Sequence, residues 1–178
     1  MREIWLQGNR RAILFGAILP TVLMLAGLAM VGVALNRDDA IVLRSCGSAA
    51  ILIGMLVLAI LAVQYRRPRI AFQNAHVLFF VRSGGPIAVP VDIVEAFIIG
   101  QGPAHLPGIS KQPNTVNLVA RLSQRHTEWA RQAVKPAIAS WCDGYVTIRG
   151  TWCEPLNSEV IRRLNRRLKE VKERASHA

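Results

Sequence analysis

Two uncharged stretches decide most of what this chain can fold into. Residues 12–35 run for 24 positions without a charged side chain, and residues 45–65 for another 21. About 20 consecutive apolar residues in a helix cross a hydrocarbon core, and a helix satisfies its own N–H and C=O groups where lipid offers no partner. A buried helix of a soluble domain ordinarily stops short of such lengths. Gly16, Pro20, Gly27 and Gly32 would weaken a helix in water but are common in membrane helices. Both stretches are therefore expected to be transmembrane. The first is also too long for the apolar region of a cleaved signal peptide.

The connection between them, residues 36–44, is nine residues long, so the helices are expected to form an antiparallel hairpin. Arg2, Arg10 and Arg11 precede the first span and Arg66, Arg67 and Arg69 follow the second, whereas the connection holds only Arg37 and Arg44. Cytoplasmic flanks carry the excess of cations, which predicts a multi-pass protein of the cytoplasmic membrane with both termini in the cytoplasm. Trp5 and Tyr65 fall where interfacial aromatics anchor a span. Neither span holds an Asp, Glu, Lys or His, the usual mark of an ion or proton path, so residues 1–69 read as an anchor rather than a pump. Within the second span Cys46, Ala50 and Gly54 recur every four residues, a small-residue stripe that admits a neighbouring helix closely. That neighbour is either the first span or a further membrane protein, a second copy included.

Residues 70–178 change character and are numerous enough for a core of their own. Residues 70–74, 77–81, 87–91 and 94–99 read as short strands. Val116, Leu118, Ala120 and Leu122 alternate with polar or exposed positions, the pattern of a half-buried strand. Residues 145–149 form another strand behind an Asp143-Gly144 turn signal, and residues 150–153 read as its extension across a bend. The period then lengthens. Val160, Ile161, Leu164, Leu168, Val171 and Ala175 share one helical face over residues 158–174, with Asn157 or Ser158 placed to cap it. Residues 101–114 read as a long loop, and residues 126–140 as a short helix or an irregular excursion. The fold class is thus an α+β membrane protein: an N-terminal transmembrane helical hairpin, then a small β-barrel or sandwich capped by a C-terminal amphipathic helix.

The order of parts, together with Val89-Pro90-Val91-Asp92-Ile93-Val94-Glu95-Ala96-Phe97, the turn Gly100-Gln101-Gly102-Pro103 and the hairpin Val81-Arg82-Ser83-Gly84-Gly85, resembles the membrane-anchored bacterial pleckstrin-homology-like proteins. The resemblance implies a PH-like domain at the membrane surface with a binding or scaffolding role. It brings no shared catalytic residues and no cofactor.

The residues themselves carry little chemistry of catalysis. His76, His105, His126 and His177 are scattered without metal-ligand spacing. Cys142 and Cys153 read as reduced thiols in a reducing compartment. The two Gly-rich turns lack the Lys-Ser or Lys-Thr of a phosphate loop, and no pair of carboxylates is spaced for acid–base work. The expectation is a non-enzyme without a cofactor. Charge is more informative: 22 Lys and Arg stand against 11 Asp and Glu. Arg162, Arg163, Arg166 and Arg167 on the last helix, with Arg66, Arg67 and Arg69 beside the membrane, are candidate contacts to anionic lipid headgroups. No nucleic-acid-binding motif accompanies them. Three functions follow: a non-catalytic binding or scaffolding protein, an assembly subunit working through its hairpin, and an enzyme with a site not evident from sequence.

Overall fold

The computed structural model describes residues 2–35, 40–103 and 114–176. The chain divides into two compact units, one of Arg10–Arg66 and the other of Met1–Asn9 with Arg67–Ala178. This corrects the boundary expected at residue 69. The first nine residues belong to the folded domain, and the helices are an insertion within it.

The helical unit consists of α1 (Arg10–Gly16), α2 (Ile18–Ala34) and α3 (Ile41–Arg66). Both Arg10–Ala34 and Ile41–Arg66 are long and apolar enough to cross a membrane, and about a tenth of each is buried. Phe15, Leu19 and Val42 are each more than 70% exposed, as water-soluble helices rarely are. The α1–α2 break falls at Ala17. Pro20 lies in the first turn of α2, where its missing N–H costs least. The Thr21 hydroxyl donates to the Ala17 carbonyl at 2.7 Å and ties the new turn together. The second span begins earlier than expected: Arg44 sits in the first turn of α3. Its Nε and a terminal guanidinium nitrogen donate to the Ala34 carbonyl at 3.1 and 3.0 Å, capping an end group that α2 cannot satisfy itself.

Close packing runs along glycines. A Cβ on Gly27 would lie 2.7 Å from the Gly47 carbonyl oxygen, one on Gly47 2.9 Å from that of Gly27, and one on Gly54 2.9 Å from that of Pro20. Ala50 also faces Gly27. Cys46, expected in this stripe, is exposed; its neighbour Gly47 takes the place. Spacing of three then four residues keeps Gly47, Ala50 and Gly54 on one face of a 3.6-residue helix, whereas strict spacing of four drifts off it. Gly54→Leu should therefore cost about 1–3 kcal/mol by forcing the helices apart. Gly32→Leu, where a Cβ meets nothing within 4 Å, should be close to neutral. Unfolding of the full chain in mild detergent compares the two.

The other unit contains two antiparallel four-stranded sheets. The first is ordered β1 (Glu3–Leu6), β2 (Ile70–Gln73), β3 (His76–Phe79), β4 (Ile87–Pro90). In the second, β5 (Val94–Pro103) pairs with β6 (Asn114–Leu122), β6 with β8 (Tyr145–Ile148), and β8 with β7 (Ala139–Cys142). The β7–β8 turn holds Asp143 and Gly144 at φ 51° and 78°, the left-handed pair that a two-residue hairpin loop demands. Two strands were not expected. β1 pairs with β2 at Glu3–Phe72, Ile4–Ala71 and Leu6–Ile70, and β7 begins in the last two residues of the excursion read over residues 126–140 and runs on to Cys142; that excursion holds a 3₁₀ turn at Thr127–Trp129. Residues 150–152 form a 3₁₀ turn rather than the expected strand extension. Gln101–Pro103 continue β5 and Asn114 opens β6; the rest of the expected loop lies outside the described residues. Val116 is 40% exposed rather than buried; it lies beyond the stretch of β6, residues 118–121, that β8 pairs with.

The last helix, α4 (Ser158–Ser176), starts under a cap: Asn157 Oδ1 accepts from the Val160 N–H at 2.8 Å. Val160, Leu164, Leu168 and Val171 enter the core beside Phe97, Leu118 and Trp5, while Ala175, past the end of the sheets, is exposed. The Asn165 amide both accepts from the Phe97 N–H and donates to its C=O, each at 2.8 Å, like one residue of a missing strand. Arg167 donates to the Ile4 carbonyl at 2.9 Å and pairs with Glu3 at 3.2 Å. Helix α4 thus bonds to the outer strand of each sheet, β5 and β1, and covers backbone groups that would otherwise remain open at the edges.

Candidate anion-binding surface

With its apolar stripe committed to the core, α4 turns its arginines outward. Arg162, Arg163 and Arg166, with Asn157, Glu159 and Val160, line a shallow concavity of about 720 Å³. The guanidinium groups differ in how free they are. Arg163 is held by Glu154 at 2.7 Å. Arg162 folds back on Ser158, donating to its carbonyl at 3.3 Å. Arg166 is exposed and makes no ion pair among the described residues. Planar guanidinium forks suit phosphate and carboxylate oxygens, so the surface offers one free and one loosely held fork for an anion. Arg167, engaged by Glu3 and Ile4, is a structural residue.

Of the arginines expected beside the membrane, Arg66 ends α3 and is exposed, and Arg67 is exposed too. Arg69 is not available for a headgroup. It opens the β2 run, with its N–H on the Leu6 carbonyl and its own carbonyl on the Phe80 N–H. Its side chain is buried, with Nε donating to the Trp152 carbonyl at 3.0 Å. Burial pulls its pKa below the usual guanidinium value. Trp5 is also corrected. Expected at the membrane interface, it is 1% exposed and stacked on Phe72 with ring centroids 5.4 Å apart. Tyr65 lies beneath the Arg10 guanidinium at 5.0 Å.

Arg149 and Asn165 escaped sequence reasoning. Arg149 is buried and donates to the Pro136 and Pro103 carbonyls at 2.7 and 3.1 Å, tying the segment before β7 to the end of β5. Only its position at the close of a strand pattern hinted at this. Among the described residues no group of three or more His, Cys, Asp or Glu is placed to hold a metal ion. His105 and His177 lie outside them. All three cysteines are free, and burial pushes the Cys153 thiol up to about 12, far from a reactive thiolate.

Set against family models, curated proteins and solved structures, the chain matches none. The fold defines a class: an α+β domain of two antiparallel sheets and a terminal helix, carrying two helices of membrane-spanning length and composition.

Proposed function

We propose that this chain is an integral protein of the cytoplasmic membrane whose PH-like domain, on the cytoplasmic side, binds without catalysis, taking anionic lipid headgroups at the α4 concavity. The connectivity carries this reading. The helical hairpin is inserted between β1 and β2, two strands that pair directly. Whatever the hairpin crosses, both its ends return to the same folded domain, so that domain is tethered by two strands of chain to one membrane face. Arg10, Arg11, Arg66 and Arg67 at those ends favour the cytoplasmic face. Two antiparallel sheets closed by a terminal helix support the PH-like assignment, and the exposed Arg166 beside Arg162 supports an anionic ligand.

A cytoplasm-dependent reporter fused after Ala178 should be active and a periplasm-dependent one silent; the reverse would overturn the orientation. For the ligand, residues 2–9 can be joined to 67–178 by a short Gly-Ser linker, since a Cβ on Gly8 would lie only 3.5 Å from the Arg67 carbonyl. That protein should sediment with phosphatidylglycerol vesicles in a salt-sensitive manner. At ~1 kcal/mol per surface cation, Arg162→Gln with Arg166→Gln should weaken binding on the order of tenfold or more. Unchanged binding by the double variant would remove α4 as the contact. Capture of membrane proteins by the hairpin alone would favour an assembly subunit instead.

A further inference from the structure

The hairpin does not pack equally along its length. At Gly27, Gly47 and Gly54 backbone meets backbone, but at Gly16 an added Cβ would find only Leu61 Cδ2, at 4.0 Å. The break at Ala17 separates α1 from the tightly packed α2. Between α1 and α3 this leaves a groove of about 390 Å³, walled by Ile13 and Leu14 on one side and Leu58 and Leu61 on the other. Tyr65 and Arg66 form its end. Arg10 adds a second guanidinium there, over the Tyr65 ring. Neither Arg10 nor Arg66 pairs with a carboxylate among the described residues.

We propose that this groove is a binding site for a single anionic glycerophospholipid, one acyl chain along the apolar walls and the phosphate between Arg10 and Arg66. The polarity of the site dictates the ligand. Apolar walls ending in two unpaired cations match a hydrocarbon chain ending in an anion. A zwitterionic lipid would bring its own ammonium against the same two guanidinium groups, so a net-negative headgroup is preferred. The site rests on the membrane-spanning reading of the hairpin but is distinct from the α4 surface.

The test uses the full chain, extracted in mild detergent and examined by native mass spectrometry after addition of phosphatidylglycerol or phosphatidylcholine. One phosphatidylglycerol should be retained per chain, at about fivefold or more over phosphatidylcholine, the ratio corresponding to one surface cation. Arg10→Gln with Arg66→Gln should bring retention of the two lipids level, and Ala62→Trp, which fills the groove and leaves both arginines, should abolish the adduct. A wild-type chain that retains both lipids equally, or an Ala62→Trp chain that keeps phosphatidylglycerol, overturns the site. Thermal melting of each variant in the same detergent verifies that it stays folded. Chain recovered in the soluble fraction without detergent would defeat the membrane reading itself; integral chain lacking the selective adduct defeats the lipid site alone.

Discussion

Trp5→Ala should destabilise the folded domain by about 3–5 kcal/mol, the range for removing a large aromatic from a packed core. The residue comes from the short strand ahead of the hairpin, yet it stacks on Phe72 and meets Phe97 edge-on, joining the first sheet to the second. In the linked protein of residues 2–9 and 67–178 the loss should lower Tm by roughly 10–20 °C. Trp5→Phe should lose much less, for it keeps a ring on Phe72 and discards an indole N–H that finds no acceptor among the described residues. Residues 67–178 without the first strand should fare worse than either. They lack Trp5 and Leu6 and leave the edge of β2 unpaired. A protein of 67–178 melting like the linked one would show that β1 is dispensable.

The second large effect is expected at the other end of the chain. Leu164 is fully buried at the middle of α4, and Leu164→Ala should cost about 2–5 kcal/mol. An isolated helix of this length is marginal in water, so the loss should appear as release of the helix from the sheets. Asn165→Ala offers a polar comparison. It strips partners from both backbone groups of Phe97 and should cost about 1–3 kcal/mol. Arg163→Ala, which breaks a partly exposed pair with Glu154, should cost under about 1 kcal/mol. Thermal melts of the linked protein rank the three; a wild-type melt for Leu164→Ala would mean that α4 is not docked.

The hairpin and α4 were legible because each declares itself over many residues, one by unbroken apolarity and the other by period. What escaped depended on distant partners. Glu3–Leu6 is four residues long and finds β2 more than sixty positions away, so beside a membrane span Trp5 resembles an interfacial anchor. Ala139–Cys142 is equally brief and gains its meaning only from β8. Counting cations flanking a span treats Arg66, Arg67 and Arg69 alike, but the strand that starts at Ile70 draws Arg69 into the interior. In α3 the stripe was right in kind and one residue out at its start, since a helix turns ~100° per residue and Cys46 therefore points away from the face that Gly47 presents. The basic surface of α4 was visible as composition. Which of its guanidinium groups are free was not, because Glu154 and Glu3 reach them from elsewhere in the fold.

Threading a hairpin between two paired strands makes domain completion a check on insertion. With the hairpin across a bilayer, a chain that sent only one helix through would strand Glu3–Leu6 on the opposite side from Ile70–Gln73, and the first sheet would lack its edge. Closing a loop of this size in solution would cost roughly 3–4 kcal/mol in chain entropy. Antiparallel helices side by side bring the two ends together beforehand. With both helices across, Glu3–Leu6 and Ile70–Gln73 lie on one side and can pair, so a complete first sheet would report that the hairpin went in whole.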